Sequence, residues 1–279
     1  MTRPQFDTNE DAKIADQAKL RADHVYEVLR REGEEELSRP IGSLAWAGLA
    51  AGLAIGFSVV GEAALAKRLP DAPWAGLIAD MGYTIGFILV ILGRLQLFTE
   101  HTITAVMPIC YAPSRRNFIC LARLWSVVLA TNMLGATAFA AFMTLTGALP
   151  QETVDEILSL GRHVTGDPFL ITVAKGVGAG FLIAMLVWIL PNAGGSQIAA
   201  IFLITYVIAM AGFAHVIAGT VEVVALVLAG GIEPGAAFFG FILPALIGNI
   251  IGGTGLFAML AYTQVRAELD DHTGTDSER

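Results

Sequence analysis

Between Ser43 and Arg266 long apolar runs alternate with short polar stretches. A membrane-spanning helix needs about 20 consecutive apolar residues. Four runs have that length and read as single spans: Ser43 to Ala66, Leu124 to Leu149, Phe169 to Leu190, and Ala236 to Tyr262. Two others are overlong and interrupted. The first runs from Trp74 to Tyr111 and is broken by Arg94 and by QLFTEHTIT, Gln96 to Thr104. The second runs from Ser196 to Gly230, and its only acidic, basic or histidine side chains are His215 and Glu222. Six spans are predicted, with the second and fifth broken.

The flanks are polar. Residues 1–39 mix charges of both signs, and Ile14, Ala18, Ala22, Val25 and Leu29 recur at helical spacing, with Thr8 as a candidate N-cap. That predicts an amphipathic helix lying on the membrane face or against a neighbouring subunit, or else a solvated tail. The channel domain is expected over 40–265, and 266–279 reads as a polar, disordered tail. The stretch with Gln151, Glu152, Asp155 and Glu156 reads as an acidic loop. Arg115, Arg116 and Arg123 follow the second run, and the N-terminal region carries further Lys and Arg. By the positive-inside rule both termini are expected in the cytoplasm, although Lys67 and Arg68 count against this.

Composition agrees with a polytopic membrane protein. Of 279 residues, 55% are hydrophobic and only 15% charged, and the mean hydropathy is +0.64. A net charge of −8 with no basic patch gives no reason to expect a nucleic-acid partner. Cys110 and Cys120 lie in no metal-ligand spacing and predict no disulfide framework. The first forty or so residues are polar, so no signal peptide is expected. No cofactor is expected, and no nucleophile elbow, nucleotide loop or metal-spaced cluster points to an enzyme.

The two interrupted runs hold matching places, each the second element of a three-helix half. That pattern predicts inverted repeats with a midplane site formed by discontinuous helices. Breaks at membrane depth are tolerated where backbone lines a cavity or is covered by protein. Ionisable groups so deep mark transport paths more often than not, which draws attention to His215, Glu222, Arg94, Glu100 and His101. Lys175 in the fourth span either draws anions into a vestibule or snorkels to the interface. Arg94 and Glu222 are expected to form an ion pair between the broken segments, since neither can stay unpaired in hydrocarbon.

Several motifs resemble the formate/nitrite transporter family across roughly 40–265. They are LFT at Leu97 to Thr99, GFAH at Gly212 to His215, KGVGAG with LVW between Lys175 and Trp188, GNIIGG at Gly248 to Gly253, and Asn132 with Gly135 in the third span. The resemblance implies an all-α, aquaporin-like fold of six transmembrane helices in two inverted three-helix repeats. It further implies a homopentamer with one pore per subunit, passing small monovalent anions or their acids across the inner membrane. Aquaporins themselves lack support, because PNA at Pro191 to Ala193 does not supply paired NPA motifs. The sequence departs from the family pattern at Arg94, Gln96, Glu100, His101, Ala214, Gly180 and Gly219.

By the same resemblance His215 and Thr99 are the central pair, and Tyr83, Phe87, Leu97, Phe98 and Ile208 form the apolar constriction. A histidine titrates near neutral pH, so His215 can hand a proton to an anion that would otherwise meet a large desolvation cost. The alternative is a channel of this fold retuned to a neutral or cationic small solute by Arg94, Glu100 and Glu222.

Overall fold

The computed structural model describes residues 19–275. The first described helix, α1 (Ala22–Ser38), buries Val25, Tyr26 and Leu29. It then lead through Pro40 into α2 (Ile41–Ala66). α3 (Ala75–Leu92) is followed by an irregular stretch with one tight turn at Glu100–Thr102, and then by the short α4 (Met107–Tyr111). α5 spans Arg115–Leu145, α6 Gln151–Val164, α7 Phe169–Ala193, α8 Gln197–Met210 and α9 Val216–Leu228. The last helix, α10, starts at Pro234–Ala237 and continues to Met259–Thr275 through two π-helical stretches, Phe238–Ile242 and Ile251–Ala258.

Among the described residues five helical stretches are long and apolar enough to cross a membrane, and α9 is a shorter apolar helix of 13 residues. Three expectations need correction. The acidic stretch after the third span is the helix α6. Thr153, Val154, Ile157 and Gly161 recur along one face and are buried, which an unpacked loop would not allow. The third span begins at Arg115, where the Ser114 side chain accepts from Asn117 N at 3.1 Å and caps it, so its first turns are polar. The polar end of the chain carries α10 on to Thr275. Thr8, Ile14 and Ala18 lie outside the described residues.

α1 packs on its own chain, against the exit from the first break. Tyr26 donates to Met107 O at 3.1 Å, Arg123 donates to Leu37 O at 2.6 Å, and the Tyr26 and Tyr262 rings lie 5.9 Å apart. The two ends of the described chain therefore share one side of the bundle, called here the terminal side. The outer face of α1 is an ion-pair ladder of Glu27, Arg30, Arg31 and Glu34. Hydrogen bonds from Arg30 and Arg31 hold the Glu27 carboxyl down at about 2. The ladder's contribution is thus complete above the ordinary carboxylate range and is lost only as pH falls toward that value.

The two halves are inverted copies. α2 leaves the terminal side and α7 returns to it; α5 and α10 are opposed in the same way. The motif Pro-x7-Gly-x3-Gly opens both halves, as Pro40, Gly48, Gly52 and as Pro168, Gly176, Gly180. Glycine is required at Gly180, where a Cβ would stand 2.3 Å from Asn249 O; Gly52 meets Asn132 O in the same way at 2.2 Å. These contacts let helix backbones touch, as small residues do in membrane bundles.

Both breaks begin with the same helix stop. After α3, Arg94 N–H reaches Ile91 O and Leu95 N–H reaches Val90 O; after α8, Gly212 N–H reaches Ala209 O and Phe213 N–H reaches Ile208 O. This double bond pattern needs a left-handed residue at its centre. φ is +62° at Gly212, where glycine adopts it freely, and +50° at Arg94. A side chain there costs energy that glycine avoids. Arg94→Gly is therefore expected to raise stability by about 0.5–1 kcal/mol, measured as the unfolding midpoint of the purified protein. A fall of similar size would show that the side chain's contacts outweigh the backbone strain.

Candidate functional site

Each break is held by one buried asparagine. Asn132 of α5 donates from Nδ2 to Gly48 O and Gln96 O, both at 2.8 Å, and accepts from Phe98 N at 2.9 Å. Asn249 of α10 donates to Gly176 O at 2.9 Å and Ala214 O at 2.8 Å, and accepts from Val216 N at 2.9 Å. Both are fully buried. A single amide thus satisfies polar backbone on either side of one residue, Leu97 in the first half and His215 in the second. Hydrocarbon offers no such partners. The sequence reading placed Asn132 and GNIIGG in their helices but missed this role.

The first break is also clothed by side chains. Thr102 Oγ1 donates to Thr99 O at 2.7 Å, Trp125 Nε1 to His101 O at 3.1 Å, and Thr254 Oγ1 to Thr102 O at 2.5 Å. Thr254 comes from the second π-helical stretch of α10. The wider turns there face the break of the opposite half, an example of π-helical geometry at a working site.

At the centre, Thr99 Oγ1 and His215 Nε2 are 2.8 Å apart. His215 is also the N-cap of α9, where its Nδ1 accepts from Ala218 N at 3.3 Å. A backbone N–H can only donate, so Nδ1 holds a lone pair and the ring proton sits on Nε2. Nε2–H then donates to Thr99 Oγ1, which leaves the threonine hydroxyl proton for another acceptor. The Phe87 ring stands edge-on to the imidazole at 4.9 Å and 81°, and the Tyr83 ring is 5.2 Å from Phe87. Phe87, Leu97 and Ile208 are fully buried, and Tyr83 and Phe98 nearly so. Phe98 turns toward Trp125, ring centres 5.6 Å apart.

A cavity approaches this centre from each side. The far-side cavity, about 400 Å³, is lined by His215, Tyr83, Glu222, Glu62, Asp80 and Lys175 among others. The terminal-side cavity, about 580 Å³, is lined by Gln96, Glu100, His101, Arg94, Glu36 and Arg39 among others. Phe87, Leu97, Phe98 and Thr99 line neither and separate the two.

The charged residues divide between these cavities, and the expected Arg94–Glu222 pair does not exist. α3 runs unbroken to Leu92, so Arg94 emerges on the terminal side. Its side chain is 86% exposed and lies 3.9 Å from Glu32. α9 carries Glu222 away from the break into the far-side cavity, where it is buried. The constriction lies between them. Lys175 reaches the far-side cavity but is tied to Asp167, Nζ to Oδ2 2.5 Å. Burial raises the Glu32 carboxyl, and Arg94 partly offsets it. Glu62, Asp80, Glu156 and Asp167, to which the sequence assigned no place in the passage, join Glu222 around the far-side cavity. Along the chain each stands in a polar or interfacial stretch, where a carboxylate reads as solvated, and only packing brings them together.

Two inverted halves, broken helices meeting at the centre and a cavity on each side define a multi-pass membrane channel or transporter. The chain belongs to the formate/nitrite transporter family, whose family model matches residues 23–263. It is 37% identical over 256 residues to the inner membrane protein YfdC of Escherichia coli (strain K12), covering 92% of this chain and 83% of that one. It is 26% identical over 223 residues to the formate channel FocA of the same strain, covering 71% and 76%. Among solved structures it shares its fold with a pentameric formate channel with formate bound, at TM-score 0.68 and 21% identity over 85% of this chain and 99% of that one. An FNT family ion channel superposes at TM-score 0.74 and 16% identity, covering 87% and 98%.

Proposed function

We propose that the chain forms a homopentamer in the cell inner membrane, with both termini cytoplasmic and a passage through each subunit for a small monovalent weak acid of the formate or nitrite kind. The observation that carries this reading is the Thr99–His215 pair, at 2.8 Å, set between two cavities and walled by Phe87 and Leu97. An anion entering so dry a segment meets a large desolvation cost, which protonation removes. His215 is the titratable partner: a proton taken up at Nδ1 from the far-side cavity makes the ring an imidazolium, its Nε2–H passes to Thr99 Oγ1 as the threonine gives its own hydroxyl proton to the solute anion, and a neutral imidazole is left. Support for the solute class comes from FocA, by name a formate channel. Support for the membrane comes from YfdC, by name an inner membrane protein. The pentamer rests on the structural neighbour described as one. No enzymatic role is proposed.

A second reading, passage of a neutral or cationic solute, is favoured by charge. The far-side cavity is lined by Glu62, Asp80, Glu156, Asp167 and Glu222 against Lys175 and His163. Clefts lined by one sign of charge deplete solutes of that sign. The experiment is a flux panel in proteoliposomes covering formate, nitrite, lactate, hydrosulfide and acetate, with a neutral solute and methylammonium for comparison. Weak-acid flux that rises as external pH falls is the expected result. Flux of the neutral or cationic solute alone would replace the first reading with the second.

A further inference from the structure

The floor of the terminal-side cavity is built from three side chains of the first break that take no part in the proton exchange proposed above. Gln96 Oε1, Glu100 Oε1 and His101 Nε2 are each buried, and no described residue hydrogen-bonds to them. All three residues line this one cavity, and Gln96 and His101 are each only 5% exposed.

The neighbours determine what these atoms offer. Gln96 turns its amide nitrogen to Glu36 Oε1 at 3.2 Å, so its carbonyl oxygen faces the other way. Thr104 Oγ1 donates to Glu100 O at 3.2 Å. Its lone pair then takes the Nδ1–H of His101, also at 3.2 Å, and His101 Nε2 is left as a bare lone pair. A carboxylate accepts only. The three atoms are therefore all acceptors. The basic side chains of the cavity are engaged elsewhere: Arg39 with Glu36 at 3.1 Å and Ser43 Oγ at 2.8 Å, Arg94 with Glu32 at 3.9 Å.

An acceptor-only floor in an acid-rich cavity disfavours an anion and fits a small cation with N–H donors. The nitrogen acceptor argues against a hard metal cation, which takes oxygen ligands. Among the described residues, no group of three or more His, Cys, Asp or Glu is placed to hold a metal ion. We infer that Gln96, Glu100 and His101 form a binding site for a small protonated amine of the ammonium or methylammonium class. Such a cation carries N–H donors enough for all three acceptors, and Glu100, when ionised, supplies the counter-charge. The site goes beyond the weak-acid reading and places a cation-binding position at this mouth of the passage.

The test is equilibrium dialysis of the purified full-length oligomer with radiolabelled methylammonium, at constant ionic strength set by sodium chloride. Saturable binding that excess sodium does not displace is expected. Glu100→Gln, which keeps the side chain's shape, should weaken it at least about tenfold, since a charge-assisted bond is lost. His101→Leu, which removes one acceptor, should weaken it several-fold. Absence of saturable binding to the wild type overturns the site, and so does binding that both variants retain in full. Formate flux in the same preparation is read separately. Flux without amine binding removes the site and leaves the weak-acid reading standing; amine binding without formate flux does the reverse.

Discussion

Replacing Asn249 with alanine is expected to cost about 3–5 kcal/mol of stability and to abolish transport. The side chain is fully buried and makes three hydrogen bonds, of 2.8–2.9 Å, to Gly176 O, Ala214 O and Val216 N. A buried polar group left unpaired costs about 1–3 kcal/mol. Gly176 O lies inside α7 and keeps its place in that helix's own ladder, so the main loss falls on Ala214 O and Val216 N. Those two groups flank His215, so the substitution also frees the central residue to move. The measurement is denaturant or thermal unfolding of the purified oligomer beside solute flux. Asn192→Ala, whose bonds to Leu20 are exposed, is the control and should change stability by less than about 1 kcal/mol. By the inverted symmetry, Asn132→Ala should resemble Asn249→Ala, freeing Gln96 O and Phe98 N instead. A loss below about 1 kcal/mol in both variants would mean that the breaks hold their shape without the asparagines.

Replacing His215 with asparagine is expected to remove the pH dependence of flux and lower its rate at least tenfold, by analogy with the roughly 10²–10⁴-fold contribution of positioned proton donors. Asparagine isolates the chemistry from the fold. His215 caps α9 by accepting from Ala218 N, and asparagine is among the best N-cap residues. The α9 start should thus survive, with stability within about 1 kcal/mol of the wild type. What is lost is the titratable ring and its reach to Thr99 Oγ1. Thr99→Val, which removes the hydroxyl and keeps the shape, should reduce flux while leaving a pH dependence. If His215→Asn conducts with an unchanged pH profile, His215 is a helix cap and the proton exchange belongs elsewhere.

Much of this arrangement was legible along the chain. A run of apolar residues too long for one span, with a histidine inside it, has few solutions in a bilayer, because every backbone polar group there needs a partner. The six-segment plan and the two breaks follow from that constraint, while Thr99 and His215 were placed together only by the family resemblance that the LFT and GFAH motifs carry. The repeated Pro-x7-Gly-x3-Gly motif at Pro40 and Pro168 was available as well and went unread, since glycine and proline are common in membrane helices. α6 was misread as a loop because its acidic residues mask the buried face of Val154 and Ile157.

The class of fold, the six-segment plan and the position of the breaks could be read along the chain, because they depend on local length, hydropathy and backbone satisfaction. Which side of the constriction each charge occupies depends instead on how the halves pack. Arg94 and Glu222 look equivalent in the chain, one in each broken run, yet the two breaks send them to opposite cavities because the halves are inverted. That Asn132 and Asn249 hold the breaks is likewise a matter of packing, since each bonds one carbonyl of a neighbouring helix and two backbone groups at the break itself. Packing also gathered Glu62, Asp80 and Glu222 around one cavity, and Gln96, Glu100 and His101 around the other. Hydrogen bonds and electrostatic fields act across space, and separation along the chain carries no record of that distance.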